Sequence, residues 1–260
     1  MIPLKDDVPT SRLAIVTYLL IAVNVIVYLY SVRQGGSLWS GPDANVTIRY
    51  GAIPYEFSHS ASHCGLADVG VVCQGQPGVV GSPPDQPATW LTALTSMFMH
   101  GSLLHLAGNM LFLYIFGNNV EDSMGRVRFI AFYIIGGLAA LALQIVVDSN
   151  SAVPTVGASG AIAAVLGGYI LLFPRARVLT VVFIVFFFTV IELPALAVLG
   201  IWFAEQALLG SFGLANPVGG SGGVAYFAHV GGFVFGLALI KAFARRRAPT
   251  PPPPPPTLAW

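Results

Sequence analysis

Long apolar runs with almost no charged residues are the feature that most restricts how this chain can fold. The first run, Leu13 to Tyr30, is interrupted only by Thr17 and Asn24, and at about 1.5 Å per residue it nearly crosses a hydrocarbon core of about 30 Å. Only 9% of the 260 residues are charged, whereas about a quarter are charged in soluble domains. The sequence therefore predicts a multi-pass membrane protein, and it carries no nucleic-acid-binding pattern.

Basic residues next to the apolar runs predict which ends of the spans face the cytoplasm. Arg126 follows the second run, Arg175 follows the fourth, and Lys241 follows the last. Since Lys and Arg accumulate on the cytoplasmic side, all three are predicted to lie inside. The last span must then start on the outer side of the membrane. The chain therefore crosses the membrane an odd number of times between Arg175 and the start of the last span, and we take this number to be one.

These considerations predict an all-α membrane protein, a bundle of six transmembrane helices in the cell membrane with both termini in the cytoplasm. The predicted spans are residues 13–30, 89–117, 128–147, 157–173, 193–209 and 223–241. The other segments are a cytoplasmic N-terminus (1–12), an extracytoplasmic loop (31–88), an apolar segment at the membrane interface or folded against the bundle (178–192) and a cytoplasmic proline-rich tail (242–260).

The only two cysteines, Cys64 and Cys73, both lie in the long loop. Because that loop is predicted to face an oxidising side, we expect a disulfide between them. His59 and His63 are close in sequence, so a metal site in the loop is the alternative. The six consecutive prolines of the tail predict an extended polyproline segment, either solvated or bound to a partner.

Ser159 lies between small residues, in Val156-Gly-Ala-Ser-Gly-Ala161, where the fourth span begins. Small neighbours let backbone amides approach whatever the hydroxyl attacks, which makes this serine a candidate nucleophile. Gly-x-Ser-Gly also occurs where two membrane helices simply pack closely. The choice between catalysis and packing depends on the neighbouring spans.

His229 lies in the last span on one helical face with Gly232 and Gly236, which form notches for another helix. The fourth span, with Gly160 among its small residues, is the expected partner. Sixteen residues separate Ser159 from Arg175 and sixteen separate His229 from Arg245. Both side chains are therefore expected at one depth, in the outer half of the bilayer, as a serine–histidine pair.

A tetrahedral oxyanion needs hydrogen-bond donors, and the second span offers candidates beside the Ser159 amide. His105 and Asn109 are four residues apart and share a helical face. His100 is predicted to lie on another face, as a structural histidine. No acidic residue is expected at the third position of a catalytic triad, because Glu205 lies near the outer membrane interface. The sequence therefore predicts a catalytic dyad. No His-Glu-x-x-His occurs, which argues against a zinc protease.

Four spaced motifs resemble the signature of the rhomboid intramembrane serine proteases over about residues 90–240. They come in the order of that family and in the expected spans. The motifs are His100-Gly-Ser-Leu-Leu-His105-Leu-Ala-Gly-Asn109, then Gly117 with Glu121 and Gly125, then Gly157-Ala-Ser159-Gly160, then Ala228-His229-x-x-Gly232-x-x-x-Gly236.

The resemblance implies a six-helix bundle with Ser159 as nucleophile and His229 as general base. It also implies an oxyanion site formed by His105, Asn109 and the backbone around Gly157 and Ser159, and no metal or cofactor. The implied substrates are single-span membrane proteins, cut near the outer end of the helix beside a small residue. Span five and the neighbouring loop 211–222 would form a mobile gate, surrounded by membrane lipid.

Two positions depart from the pattern of the family. Ala163 stands where many relatives carry an aromatic residue that packs on the catalytic histidine, and Leu91 replaces a basic residue after Trp90. The alternative function is a non-catalytic membrane chaperone or sorting factor that binds transmembrane helices. Such relatives usually lack the serine or the histidine, so the presence of both favours the protease.

Overall fold

The structure, a computed structural model, describes residues 1–59, 62–68, 70–76, 86–184, 187–215 and 224–245. Helices dominate these residues, as the sequence predicted. The helices are α1 (Ile15–Gln34), α2 (Ala44–Tyr50), α3 (Pro54–Ser58), α4 (Thr89–Thr95), α5 (Leu103–Phe112), α6 (Asn118–Met124), α7 (Arg126–Val147), α8 (Ser159–Leu172), α9 (Ala195–Ala215) and α10 (Tyr226–Phe243). The strands are β1 (Ile2–Asp6), β2 (Gly36–Ser37), β3 (Gly41–Pro42), β4 (Cys64–Ala67), β5 (Gly70–Cys73), β6 (Arg177–Ile184) and β7 (Phe187–Pro194).

Four of these helices, α1, α7, α9 and α10, are long and apolar enough to cross a membrane. A fifth candidate is a bent pair formed by Thr89–Phe98 and Leu103–Met124. The remaining predicted span corresponds to α8, which has only 14 residues and at about 1.5 Å per residue is shorter than a hydrocarbon core. The chain is a multi-pass membrane protein, and a count of six crossings stays a prediction.

The second predicted span, residues 89–117, is not one continuous helix, which corrects the sequence prediction. After a short 3₁₀ turn, Ser96–Phe98, the chain turns extended at Met99 and bends by 79° before α5. Ser102 is also extended, and its hydroxyl accepts a hydrogen bond from the His105 N–H, which caps α5. This cap favours a new helix start at Leu103 because it satisfies a backbone donor that the first turn leaves free. His105 and Asn109 therefore lie in the first two turns of α5.

Helix α8 forms the centre of the bundle, and every residue from Gly160 to Ile170 is buried. A Cβ atom at Gly232 of α10 would overlap the Gly160 carbonyl oxygen, and one at Gly236 would overlap the Ala164 carbonyl oxygen. The backbones of α8 and α10 thus touch, as predicted from the glycine pattern. Contacts advance by four residues on both helices, from Gly160 and Gly232 to Ala164 and Gly236, so the two helices run parallel.

The apolar segment 178–192 forms an antiparallel hairpin, β6 and β7, which β1 extends to three strands. The sequence interpretation assigned no strand here, although the segment is rich in the β-branched and aromatic residues that favour strands. Val178 and Thr180 are buried against the bundle, whereas Phe183, Phe187 and Phe188 are exposed. The helical bundle is confirmed as the main architecture, and this sheet is an addition to it.

Buried polar contacts fix the N-terminal segment to the bundle. The Asp6 carboxylate at the end of β1 accepts hydrogen bonds from the Asn119 side chain and, at 2.6 Å, from the Tyr169 hydroxyl. Burial raises the pKa of Asp6 to about 6. Further along the chain, the Glu121 carboxylate accepts from the backbone N–H groups of Val16 and Thr17 and so caps the start of α1.

The predicted loop 31–88 carries structure of its own, including α2, α3 and two short strand pairs. Cys64 and Cys73 lie opposite each other on β4 and β5 and form a disulfide, so neither thiol is available to a metal. Among the residues that the structure describes, no group of three His, Cys, Asp or Glu side chains is placed to hold a metal ion. Ala52 pairs with Thr155, which ties the loop to the segment just before Ser159.

Two predicted features lie outside the described residues. They are the proline tail from residue 246 onward and residues 216–222 of the predicted gate loop.

Candidate active site

Ser159 and His229 lie together at the N-terminal ends of the parallel helices α8 and α10. The Ser159 Oγ and the His229 Nε2 are 2.8 Å apart, a hydrogen-bond distance. Ser159 is the first residue of α8, where backbone N–H groups have no acceptor within the helix. The start of α10 is fixed by Gln144 of α7, whose side-chain oxygen accepts from the Ala228 N–H. The sequence-predicted pair is therefore brought together.

Gly157 has a role other than the predicted one. Its backbone N–H donates to the Ser96 carbonyl oxygen at 2.9 Å, so this amide is already engaged and does not face an oxyanion. Its φ angle is +125°, a conformation that L side chains rarely adopt. A Cβ atom there would lie 2.8 Å from the His105 Nε2. Glycine is needed because the backbone passes directly against His105.

His105 and Asn109 line the same cavity as Ser159 and His229. The Gly101 N–H donates to the His105 Nδ1 at 3.4 Å, and this leaves the proton of a neutral imidazole on Nε2, next to Gly157. The Asn109 side chain is buried, and its Nδ2 has no hydrogen-bond partner among the described residues. A buried amide without a partner is rare, since its desolvation is uncompensated. Both residues line the cavity, and the Asn109 Nδ2 is a buried donor that the described residues leave unused.

His100 does not lie away from His105, as a continuous helix had predicted. The chain break before α5 places the two rings edge to face, with centroids 5.1 Å apart. The His100 ring is fully buried, and its Nδ1 lies 3.3 Å from the Phe98 carbonyl oxygen. His100 is thus placed as a structural histidine, because its buried ring packs against the ring of His105.

Gln206 and Trp202 of α9 contact His229, and the sequence interpretation missed both residues. The Gln206 Oε1 lies 2.7 Å from the His229 Nδ1. The Trp202 ring packs on the imidazole with centroids 5.7 Å apart. Ala163 stands where many relatives carry the aromatic residue. It is buried, and its methyl group would lie 3.1 Å from a Cβ atom placed at Gly232. The aromatic contact to the histidine thus comes from a different helix.

A signal for Gln206 is present in the sequence of α9. At about 100° per residue, a single face of this helix, within about 40° of Gln206, carries Ala195, Leu199, Trp202, Gln206 and Gly210. Gln206 is the one polar side chain on that face. The acidic residue next to it, Glu205, is exposed.

The cavity lined by Ser159, His229, His105, Asn109 and Trp202 has a volume of about 550 Å³. Small apolar residues such as Gly137, Ala140 and Ala161 also line it. A concave site of this size with a hydroxyl, an imidazole and free donors suits an acyl transfer reaction.

Comparison with known proteins identifies the family. Residues 87–246 match the family model for the rhomboid domain, close to the stretch expected from the motifs. The chain is 31% identical over 157 residues to rhomboid protein 1, mitochondrial, of Saccharomyces cerevisiae, covering 59% of this chain and 42% of that protein. It is 30% identical over 176 residues to presenilin-associated rhomboid-like protein A, mitochondrial, of Danio rerio, covering 65% and 42%.

A third relative is RHOMBOID-like protein 5 of Arabidopsis thaliana, 36% identical over 74 residues, which are 28% of this chain and 24% of that protein. The chain thus spans less than half the length of these curated relatives. The family match itself covers more than half of the chain, and it includes each of the four helices α5, α8, α9 and α10 that form the site. The chain belongs to the rhomboid family.

Proposed function

We propose that the protein is an intramembrane serine endopeptidase that works through a dyad of Ser159 and His229. The observation that carries the proposal is the 2.8 Å contact between the serine hydroxyl and the imidazole Nε2. Such a contact lets the imidazole take the hydroxyl proton while the oxygen attacks a carbonyl carbon. Both side chains are present in a cavity between membrane helices, which favours a protease over the chaperone or sorting factor.

The chemistry follows the usual course of serine acyl transfer. The Ser159 Oγ forms a bond to the carbonyl carbon as its proton moves to the His229 Nε2, and the carbonyl oxygen becomes an oxyanion. The C–N bond then breaks, and the leaving amine takes the proton from Nε2. A water molecule attacks the carbonyl carbon of the acyl-enzyme and gives a proton to Nε2. The ester C–O bond then breaks, the Ser159 Oγ takes this proton back from Nε2, and the carboxylic acid is released.

His105 and Asn109 are the proposed donors to the oxyanion, together with the Ser159 amide at the positive end of α8. Donors held in place before charge develops stabilise a transition state without reorganisation. The Asn109 Nδ2 supports this role because it is buried and unused in the described residues. The engaged Gly157 amide is left out of the donor set.

The substrates we propose are single-span membrane proteins, cut near the outer end of their helix beside a small residue. This class is the one that the resemblance to the rhomboid proteases implies, and the family match supports it. Helix α9 is the proposed gate, the cell membrane the proposed location, and the cytoplasm the proposed side for both termini. The arginines at the ends of the apolar runs support that orientation.

The proposal is tested with a fluorophosphonate probe and with a fluorescently labelled transmembrane substrate, on protein purified in detergent. We expect the probe to modify Ser159, identified by mass spectrometry of the peptide, and the substrate to be cut within its membrane segment. Labelling of a different residue, or an intact substrate after long incubation with probe-reactive protein, would count against the proposed protease.

Asn109→Asp should slow cleavage without preventing it. Aspartate keeps the size of the side chain but replaces the amide donors with acceptors, and when ionised it also repels the oxyanion. Loss of one oxyanion donor alone costs about a hundredfold to a thousandfold in kcat, so the loss should be at least this large. KM should change little, because the interaction forms only in the transition state. The matched control is Asn150→Asp in an exposed loop. A raised KM with normal kcat at Asn109 would contradict the proposed role.

A further inference from the structure

The second ring nitrogen of His229 has a defined partner that the dyad does not use. The Gln206 Oε1 lies 2.7 Å from the His229 Nδ1. Gln206 is 8% exposed, so its amide is held inside the bundle and not at the lipid surface. A buried amide in an apolar helix is unfavourable unless its polar atoms are bonded. This contact therefore satisfies Gln206 as well as orienting the histidine.

The partners of the two ring nitrogens together select one tautomer. For Ser159 to give up its proton, Nε2 must be the unprotonated acceptor, so the ring proton of a neutral imidazole must be on Nδ1. A side-chain amide oxygen only accepts hydrogen bonds, so Gln206 favours this same tautomer. Without an acceptor at Nδ1, the proton is free to move to Nε2, where it would block proton transfer from Ser159.

Resting on the proposed function, we infer that Gln206 is a positioning residue for the general base. It holds the His229 imidazole in the Nδ1–H tautomer and in the orientation that presents Nε2 to Ser159. Gln206 therefore occupies the place that an acidic third residue holds in a catalytic triad. Gln206 does not line the cavity that contains Ser159, and its oxygen contacts the imidazole and not the reacting hydroxyl.

Helix α9 holds this amide in register with the histidine. Phe203 stacks on Phe233 of α10 with centroids 4.4 Å apart, and Trp202 contacts the same phenyl ring at 6.3 Å. Phe233 lies one turn after His229, so the aromatic contacts and the Gln206 hydrogen bond join the same two helices side by side. The tautomer of His229 consequently depends on α9 being seated against α10. Movement of α9 away from α10 would remove the Gln206 acceptor and the Trp202 ring together.

The experiment compares Gln206→Leu and Gln206→Glu with wild type, using ¹⁵N-histidine-labelled protein in detergent. The signals of His229 are assigned by their loss in His229→Ala, and the ¹⁵N shifts report which ring nitrogen carries the proton. We expect the Nδ1–H tautomer in wild type and in Gln206→Glu, which keeps an acceptor. We expect a mixture or the Nε2–H tautomer in Gln206→Leu, which keeps a similar volume and should fold. An unchanged tautomer in Gln206→Leu overturns the inference.

A kinetic measurement on the same variants separates positioning from substrate entry. Gln206→Leu should lower both kcat and the rate of fluorophosphonate labelling by about tenfold to a hundredfold, the effect of one lost internal hydrogen bond, while KM stays near wild type. Gln206→Glu should recover most of that loss. Glu205→Gln, the neighbouring exposed position, is the matched control and should change neither quantity.

The two readouts keep this inference distinct from the proposed function. If His229 carries its proton on Nδ1 in wild type and loses that preference in Gln206→Leu, the positioning role stands even where no peptide is cut. In that event only the protease proposal fails. If cleavage and labelling are normal in Gln206→Leu, the positioning role fails while the protease proposal stands.

Discussion

Protein carrying Ser159→Ala is expected to leave a transmembrane substrate uncut, with a rate at least about ten thousandfold below that of wild type. The substitution removes the only atom that the dyad offers as a nucleophile, and loss of such a residue removes nearly all of the chemistry that it shares with its base. His229→Ala should be equally inactive, because the hydroxyl at 2.8 Å then has no acceptor for its proton. Gel analysis of the labelled substrate, with single-turnover conditions for slow variants, measures both.

The two catalytic residues should act as one unit. The double variant Ser159→Ala/His229→Ala should be no slower than either single variant, because each substitution already removes the shared proton transfer. Two matched controls are available. Ser37→Ala changes an exposed serine whose hydroxyl bonds to that of Ser40, and His59→Ala changes a histidine stacked on Tyr55, both in the loop 31–88. Both should retain wild-type rates, and measurable cleavage by Ser159→Ala would end the dyad hypothesis.

The parts of the site that follow from helical periodicity could be predicted from the sequence. Gly232 and Gly236 repeat at the spacing of helix contacts, and they bring His229 to Ser159 because a side chain at either position would meet the backbone of α8. The pairing of His105 with Asn109 follows from the same periodicity, since both lie in the unbroken helix α5.

The missed features depend on tertiary contacts or on local breaks. Nothing in the polarity of residues 89–117 separates a continuous helix from one that bends at Met99, so the contact between His100 and His105 was not predicted. Gln206 was missed because a neutral amide in a membrane helix normally signals packing, and only its distance from His229 gives it a further role. The β6–β7 hairpin is a short apolar run whose periodicity does not distinguish strand from buried helix.

The largest structural effect is expected from Gly232→Leu, because α8 and α10 meet there with their backbones in contact. Any Cβ atom at Gly232 would overlap the Gly160 carbonyl oxygen, which cannot move without shifting the whole first turn of α8. The helices must then separate, and Ser159 begins that same turn. Overpacking of this kind typically costs about 1–3 kcal/mol. A displacement of about 1 Å between reacting groups costs about a hundredfold in rate.

We therefore expect Gly232→Leu to reduce cleavage and fluorophosphonate labelling to background and to lower the unfolding temperature in detergent, with Gly232→Ala intermediate in each measurement. Gly200→Leu is the matched control, since it also lies within an apolar helix but a side chain there meets nothing within 4 Å. Leucine favours helix over glycine, so this control should unfold at the same temperature or higher. Wild-type activity in Gly232→Leu would mean that α8 and α10 do not pack through these glycines, and the basis for the serine–histidine contact would be lost.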